Sequence, residues 1–255
     1  MCDGFHDSVF KILIAIRGKS GVRDGMRSRH QNIAESSSDR RQKPFVVLVE
    51  GNIGSGKSTF MQYFRRYQNK IDFLPEPVGK WKNFEGFNLL QMIYQDPKRW
   101  SLSFQIYVLL TQLEDLAKTT NKPVKMIERS LYSARYCFVE YLRKMDLIHH
   151  IEYRILAKWF DTLPSVTEVD LSADLIIYLR TSPRVALERV RKRNREEERL
   201  ISEDHIRRIH SLHENWLIRC QFPRHAPMIV IDADMDTEEM RLAFEKVARL
   251  FLGES

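Results

Sequence analysis

The segment 51–59 constrains this chain most, because it reads Gly-Asn-Ile-Gly-Ser-Gly-Lys-Ser-Thr and satisfies the pattern G-x-x-x-x-G-K-[ST]. An apolar run precedes it and a helical pattern follows, which is the strand–loop–helix context that the pattern requires. Glycines let backbone amides turn towards a phosphate, and the helix start adds partial positive charge. Lys57 is expected to reach the β- and γ-phosphates, and the Ser58 hydroxyl to face Mg²⁺. The predicted ATP-binding residues here are Gly51, Asn52, Ile53, Gly54, Ser55, Gly56, Lys57, Ser58 and Thr59.

The fold class follows from short apolar runs that alternate with helical patterns. These runs are nearly continuous in apolar residues, which is typical of strands covered on both faces in a parallel sheet. The runs cover residues 45–50, 71–74, 124–127, 174–179 and 228–231. Asp236 and Glu239 form a capping-box pattern before a last helix. We predict a three-layer α/β fold of the P-loop kinase type, with a five-stranded parallel sheet flanked by helices in one domain over residues 44–252.

Residues 1–43 differ from the rest, since they contain six arginines, a serine cluster and little periodicity. We interpret this stretch as a disordered leader or a transit segment, and the interpretations of a cytoplasmic and a mitochondrial protein stay open. No apolar run approaches the ~20 residues of a membrane span, so no membrane partner is expected. Three widely spaced cysteines give no disulfide framework and suggest reduced thiols.

Two polar segments follow predicted strands and therefore point to the same edge of the sheet. Glu76 comes after the second strand and has the chemistry of a general base, although a solvated turn carboxylate is the alternative. Arg129 comes after the third strand, where a guanidinium stabilises charge on a transferring phosphoryl group and holds Glu76. The neighbouring Glu128 is expected to serve Mg²⁺ together with Ser58, directly or through water. A surface ion pair is the alternative for this segment.

A helix predicted over residues 100–118 carries a face made of Phe104, Gln105, Val108 and Gln112. The neighbouring faces carry apolar residues, so much of this helix is expected to be buried; these are Leu102, Ile106, Leu109, Leu110 and Leu113. A buried glutamine needs partners, and its amide matches the edge of a nucleobase. A glutamine satisfied within the core is the alternative.

An arginine-rich stretch at 184–199 follows the fourth strand and is expected to act as a lid over the phosphates. A solvated charged helix is the alternative. The formal net charge is +7, which is compatible with a nucleic-acid-binding ATPase, but no aromatic residues interleave the arginines as in single-strand binders. Nucleotide substrates explain the charge as well, so no nucleic acid partner is expected.

At this point the chain resembles the deoxyribonucleoside kinase family, over about residues 44–235 and with the likeness strongest to its multisubstrate and mitochondrial thymidine kinase branches. The resemblance is carried by six segments, 50–58, 76–81, 104–108, 128–140, 173–183 and 210–217. It implies transfer of the γ-phosphate of ATP to the 5′-hydroxyl of a deoxynucleoside, with Mg²⁺ and usually as a homodimer. The implied acceptors are thymidine, deoxycytidine and also purine deoxynucleosides, in nucleotide salvage.

The resemblance also implies roles by position. Glu76 takes the proton from the 5′-hydroxyl and Arg129 holds that hydroxyl. Gln105 pairs with the base, Phe138 stacks on it, and Trp81 and Phe104 line its pocket. Tyr94 and Glu198 bind the 3′-hydroxyl, while Arg193 and Arg195 are the lid arginines. Val108 and Ala134 leave room for a substituted ring, as in members that prefer pyrimidines.

One departure concerns Gln112, where a multisubstrate member of the family has methionine. A polar group there adds a hydrogen-bonding site for the base, which leaves the preference between purines and pyrimidines open. Two other functions also stay open, a nucleoside monophosphate kinase and a non-catalytic subunit of a respiratory complex with this fold. The first needs further basic residues for an acceptor phosphate, and the second has no need of a complete site.

Overall fold

The computed structural model describes residues 43–252, and the predictions for the leader, apart from Lys43, lie outside the described residues. These residues form a five-stranded parallel sheet with helices on both faces, in the order β2-β3-β1-β4-β5. The predicted α/β class is therefore confirmed. The chain winds from the central strand β1 to one side for β2 and β3, and to the other for β4 and β5. Such a switch point leaves a crevice at the carboxyl ends of the strands.

The strands agree closely with the predicted apolar runs. They are β1 (Phe45–Gly51), β2 (Ile71–Leu74), β3 (Val124–Glu128), β4 (Leu175–Arg180) and β5 (Met228–Asp232). The prediction that all are covered on both faces holds for the three central strands but is wrong for the edges. Only Ile229 and Ile231 of β5 are buried, and Val230 is exposed, because an edge strand lacks a neighbour to extend the covering layer.

Ten α-helices, three short 3₁₀ or π-helical continuations beside them and one isolated 3₁₀ turn surround the sheet in the described part of the chain. The α-helices are α1 (Lys57–Phe64), α2 (Val78–Lys82), α3 (Leu89–Gln95), α4 (Pro97–Ala117), α5 (Leu131–Ser133), α6 (Glu140–Lys144), α7 (His150–Val166), α8 (Pro183–Arg193), α9 (Glu203–His213) and α10 (Thr237–Leu252). The continuations are Arg65–Tyr67, Ala134–Val139 and Glu214–Ile218, and the isolated turn is Glu196–Leu200. None of the described helices has the length and apolar character needed to cross a membrane.

Two apolar layers bury the sheet, because side chains alternate across each strand. On one face Val47 and Val49 pack against Phe60 and Phe64 of α1 and against α10. On the other face Val46 and Leu48 pack with a cluster around Trp216. The capping box predicted for the last helix is present, since Asp236 Oδ1 accepts from Glu239 N at 2.9 Å and Asp236 N donates to Glu239 Oε2 at 3.3 Å.

Helix α4 differs from its prediction in two ways. It starts at Pro97, three residues earlier than expected, because Pro97 suits the first turn and the side chain of Asp96 accepts from Arg99 N at 3.2 Å. The expectation that Ile106 and Leu110 are buried is wrong, since they are 53% and 50% exposed. These two residues lie on the outer side of α4, whose inner side faces the core and the cavity described below.

Candidate active site

A cavity of about 920 Å³ opens at the carboxyl ends of the strands, between the predicted phosphate loop and helices α2 to α4. Lys57 is buried at its floor, where its Nζ donates to the carbonyls of Asn52 at 2.9 Å and Gly51 at 3.3 Å. Burial, together with the nearby positive charge of Arg129, lowers the pKa of Lys57 to about 8. Phosphate oxygens carry negative charge, so a bound phosphate favours the charged form of this ammonium group.

The loop requires glycine where its backbone turns and packs closely. Gly54 has a φ of +79°, and a Cβ built there lies 2.3 Å from the carbonyl oxygen of Ala186. A Cβ on Gly51 lies 2.7 Å from the carbonyl oxygen of Leu179. Neither position admits a side chain unless the backbone of the neighbouring helix or strand moves.

The loop residues divide between the cavity and the layer beneath it. Ile53, Gly54, Gly56, Lys57, Ser58 and Thr59 line the cavity. Gly51, Asn52 and Ser55 lie below the lining, and the Asn52 side chain donates to the carbonyl of Ile206 at 2.9 Å and accepts from Ile53 N at 2.8 Å. Asn52 therefore fastens the loop to helix α9 through its side chain.

Two side-chain oxygens of the kind that a hard cation prefers meet at the cavity wall. The Ser58 hydroxyl donates to Glu128 Oε1 at 3.2 Å, although the two residues come from α1 and β3. No cluster of three or more histidine, cysteine or acidic side chains suited to a metal occurs among residues 43–252. Mg²⁺ prefers oxygen ligands and keeps several of its waters, so it needs only one or two protein oxygens, and this pair fits that requirement.

Glu76 and Arg129 form an ion pair beside the loop. Arg129 Nε lies 2.9 Å from Glu76 Oε1, and the side chains are 5% and 20% exposed. Arg129 also donates from Nη1 to the carbonyl of Gly51 at 3.0 Å, and its guanidinium lies 4.7 Å from the centre of the Phe138 ring. The carboxylate of Glu76 is thus held in place while part of it still faces the cavity.

The predicted base-binding residues form the far end of the cavity. Gln105 and Gln112 are buried, and their side-chain oxygens have no hydrogen-bond partner among the described residues. Trp81 and Phe104 meet edge to face at 5.6 Å, and Trp81 Nε1 donates to Thr111 Oγ1 at 2.9 Å. Val108, Ala134 and Phe138 complete this end. A buried carboxamide without a partner calls for a ligand that offers hydrogen-bond donors.

The arginine-rich stretch does not form one element. Helix α8 ends at Arg193, because Asn194 adopts a left-handed conformation, and a short 3₁₀ turn follows. Both carboxylate oxygens of Glu198 accept from Arg193 at 2.6 Å, and Arg195 Nη1 lies 3.5 Å from the same carboxylate. Tyr94 lines the cavity beside them, and burial together with the charge of Glu198 raises its pKa. The predicted 3′-hydroxyl residues and lid arginines therefore share one corner.

The cavity also contains His205, which sequence reasoning missed, and Arg189, which it included only as part of the arginine-rich stretch. Arg189 of α8 is anchored by its donation to the carbonyl of Ala233 at 2.8 Å, and one of its guanidinium nitrogens comes close to Gly56. His205 lines the cavity with its Nδ1 2.9 Å from the Tyr141 hydroxyl. Burial lowers the pKa of His205 to about 4, so its imidazole is neutral at pH 7. Arg189 lies four residues before Arg193, about one helical turn away. This spacing is the sequence feature that places Arg189 on the same side of α8 as the lid arginine Arg193.

Comparison with known proteins places these observations among nucleoside kinases. Residues 47–251 match the family model described as deoxynucleoside kinase. The chain is 42% identical to human "Thymidine kinase 2, mitochondrial" over 207 residues, which cover 81% of this chain and 77% of the relative. It is 34% identical to "Deoxycytidine kinase 1" of Xenopus laevis, with 80% and 88% covered. It is 32% identical to "Deoxycytidine kinase" of Mus musculus, with 81% and 90% covered.

Proposed function

The chain belongs to the deoxynucleoside kinase family, and from that premise we propose that it transfers the γ-phosphate of ATP to the 5′-hydroxyl of deoxynucleosides in nucleotide salvage. The proposed acceptors are thymidine and deoxycytidine, and also the purine deoxynucleosides. The observation that carries this proposal is the Glu76–Arg129 pair, which lines the same cavity as the phosphate loop and adjoins it through the hydrogen bond from Arg129 to the Gly51 carbonyl. An acceptor hydroxyl bound beside the pair and the loop is within reach of both the general base and the γ-phosphate of ATP.

Glu76 is the proposed general base. A sugar hydroxyl is a weak nucleophile, and a carboxylate that accepts its proton assists the attack, while alignment and electrostatics lower most of the barrier. Arg129 keeps the carboxylate oriented through its 2.9 Å ion pair. Its guanidinium then remains close to the reacting oxygen, where it stabilises negative charge as the phosphoryl group moves.

The donor side of the proposed reaction relies on the loop. The amides of the loop and the ammonium group of Lys57 bind the phosphates of ATP, and Arg189, Arg193 and Arg195 surround their outer side. Ser58 and Glu128 are the residues that would hold Mg²⁺. When it is bound, this ion neutralises charge on the β- and γ-phosphates.

The acceptor base is proposed to stack on Phe138 and to hydrogen-bond with Gln105. Both amide oxygens in this region lack partners, so a base that offers two donor positions satisfies Gln105 and Gln112 together. Val108 and Ala134 limit the width of the pocket with small side chains. Tyr94 and Glu198 are the proposed ligands of the 3′-hydroxyl. When substrate binds, Glu198 can exchange one of its two bonds to Arg193 for that hydroxyl.

The test is a phosphorylation assay with Mg-ATP and each of thymidine, deoxycytidine, deoxyadenosine and deoxyguanosine, run beside thymidine monophosphate. We expect monophosphate products from the nucleosides and no turnover of thymidine monophosphate. Turnover of the monophosphate alone would assign the chain to the nucleoside monophosphate kinases. Absence of turnover with all acceptors, in protein that still binds ATP, would support the non-catalytic alternative.

We also propose that the chain forms a homodimer through helices α4 and α7. Both helices pack on the same buried cluster and present apolar side chains outwards at helical spacing. These side chains are Ile106, Leu110, Ile151, Ile155 and Trp159. Analytical ultracentrifugation is expected to give a dimer for the wild type and a monomer for the variant Leu110→Glu with Ile155→Glu. The matched control Leu242→Glu changes an exposed apolar residue of α10 and is expected to remain a dimer.

The compartment is proposed to be the cytoplasm or the mitochondrion. The relative with 42% identity is named as a mitochondrial kinase, and the arginine-rich stretch of residues 1–43 is compatible with a transit segment. A fluorescent fusion of the full chain, compared with a fusion that starts at residue 44, decides between the two. Loss of mitochondrial signal in the shorter fusion supports the transit segment, and equal cytoplasmic signal in both contradicts it.

A further inference from the structure

Three consecutive residues of β1 hold the segment Arg129–Ser130. The carbonyl of Val49 accepts from Arg129 N at 2.9 Å, and the carbonyl of Gly51 accepts from Arg129 Nη1 at 3.0 Å. Between them, Glu50 Oε1 accepts from the hydroxyl of Ser130 at 2.5 Å. The first two contacts use carbonyls that any sequence provides. Glu50 therefore makes the one contact of the three that depends on a side chain of β1.

The segment that Glu50 holds has a strained backbone. Arg129 has a φ of +65°, in the left-handed region that favours glycine. A long side chain keeps this conformation only where its surroundings impose it. Ser130 follows directly, and its hydroxyl also accepts from Ser133 N at 3.2 Å as the cap of α5. The proton of this hydroxyl is the one that Glu50 binds, so Glu50 fixes the rotamer of the cap next to the strained residue.

The burial of Glu50 is not explained by folding alone. The side chain has no exposed area, and its second oxygen has no hydrogen-bond partner among residues 43–252. Burying a carboxyl group is unfavourable, and an apolar residue is the ordinary choice at the end of a central strand. Burial outweighs the lowering effects of Ser130, Arg129, Ser133 and Lys57, so the pKa of Glu50 is raised to about 7. In both protonation states an oxygen can accept from Ser130.

We propose that Glu50 is a positioning residue of the phosphoryl transfer: through the Ser130 hydroxyl it holds Arg129 in its left-handed conformation, and thereby aims the guanidinium at Glu76. The proposal rests on the proposed function, because it presumes that Arg129 and Glu76 act on the acceptor. It explains why a carboxyl group lies buried next to the phosphate loop without lining the cavity. Ser130 does not line that cavity either, and the proposal gives it the same positioning role.

The kinetic test is a double-mutant cycle of Glu50→Ala and Ser130→Ala, with Glu50→Gln as the conservative variant. Displacing a catalytic group by about 1 Å lowers turnover on the order of 10²-fold. We expect each single variant to lose kcat by about 10- to 100-fold with the KM for ATP within about threefold, because the loop is intact. The double variant is expected to lose no more than the larger single loss, since both remove the same bond.

Glu50→Gln retains the acceptor oxygen and is expected to recover kcat to within about threefold of wild type. Ser211→Ala is the matched control, since this exposed hydroxyl donates only within α9. Normal kcat in Ser130→Ala overturns the proposal, and so do losses that multiply in the double variant. A lowered melting temperature in Glu50→Ala with unchanged kcat overturns it as well. If Glu50→Ala does not fold, the Ser130→Ala and Glu50→Gln variants decide.

A second measurement needs no substrate and so separates this proposal from the proposed function. The Nε–H resonance of Arg129, assigned by its loss in Arg129→Lys, is expected to be protected from exchange with water in the nucleotide-free protein. It should persist in Glu50→Gln and be lost in Glu50→Ala and Ser130→Ala. Persistence in all three variants refutes the positioning role even if the wild type phosphorylates no deoxynucleoside. Conversely, a kinase-inactive wild type with the expected resonances refutes only the proposed function.

Discussion

Replacing Glu76 by glutamine tests the acceptor half of the site with the smallest change in shape. The amide oxygen of glutamine can still face Arg129 Nε, so the pair loses its charge attraction but retains a contact. What disappears is a group that accepts the proton of the hydroxyl. A positioned general base contributes about 10²- to 10⁴-fold to the rate, which corresponds to about 3 to 5.5 kcal/mol at ~1.36 kcal/mol per tenfold. We expect kcat to fall by about 10³-fold.

ATP binding should respond in a different and pH-dependent way. The charge of Glu76 helps to keep Lys57 protonated. Removing that charge lowers the pKa of Lys57 further below its present value of about 8. The Kd for ATP is therefore expected to be within about threefold of wild type at pH 6.5, and to rise more steeply than in the wild type as the pH passes 8.

The assay is steady-state turnover of thymidine with Mg-ATP, combined with calorimetric titration of ATP at pH 6.5 and pH 8.5. Glu203→Gln is the control, because this carboxylate is exposed and, among residues 43–252, pairs only with Arg207 one turn along α9. Glu76→Asp retracts the carboxylate by one methylene and is expected to give an intermediate kcat. A Glu76→Gln variant that keeps more than about a tenth of the wild-type kcat would refute the assignment of the base.

Three further predictions concern the donor loop and the base pocket. Gly54→Ala is expected to abolish measurable ATP binding by calorimetry, because its Cβ would lie 2.3 Å from the Ala186 carbonyl, whereas Gly79→Ala has open space and should bind normally. In the wild type, ATP affinity should decrease as the pH rises through about 8, since Lys57 then loses the charge that binds phosphate, and Lys57→Arg should remove this decrease. Gln112→Leu removes an amide whose oxygen has no partner among the described residues. The ratio of kcat/KM between purine and pyrimidine deoxynucleosides is expected to change by about tenfold, while kcat changes little. An unchanged ratio would exclude a contact between Gln112 and the base.

Local sequence patterns were sufficient to predict the fold and the phosphate loop. The five strands were predicted to within one residue at each end, because a run of apolar residues buried in a central sheet is visible without knowledge of its neighbours. The loop needs glycines, a lysine and a hydroxyl at fixed offsets, and all of them lie within nine residues of one another. The predicted proximity of Glu76 and Arg129 follows from a topological rule, since parallel strands place their carboxyl ends at one edge.

The arrangement of the acceptor side was decided by the tertiary structure. The Glu76–Arg129 pair depends on how loops that follow separate strands converge, and a sequence does not specify such distances. The bidentate Arg193–Glu198 pair is local, but it depends on the left-handed turn at Asn194 that ends α8. Sequence patterning also treated Ile106 as buried, because periodicity identifies a helix but does not reveal which of its faces meets the rest of the molecule.

The sequence alone determined the family resemblance, the parallel sheet and the phosphate loop, since each depends on residues that are neighbours in the chain. Only the tertiary structure revealed Glu50, whose position in an apolar strand suggested no partner. Its carboxyl group meets Ser130 because β1 and β3 pair in parallel, with Val49 opposite Glu128, and this register brings the two strand ends together. Contacts of that kind are set by strand register and packing, which act between residues far apart in the chain.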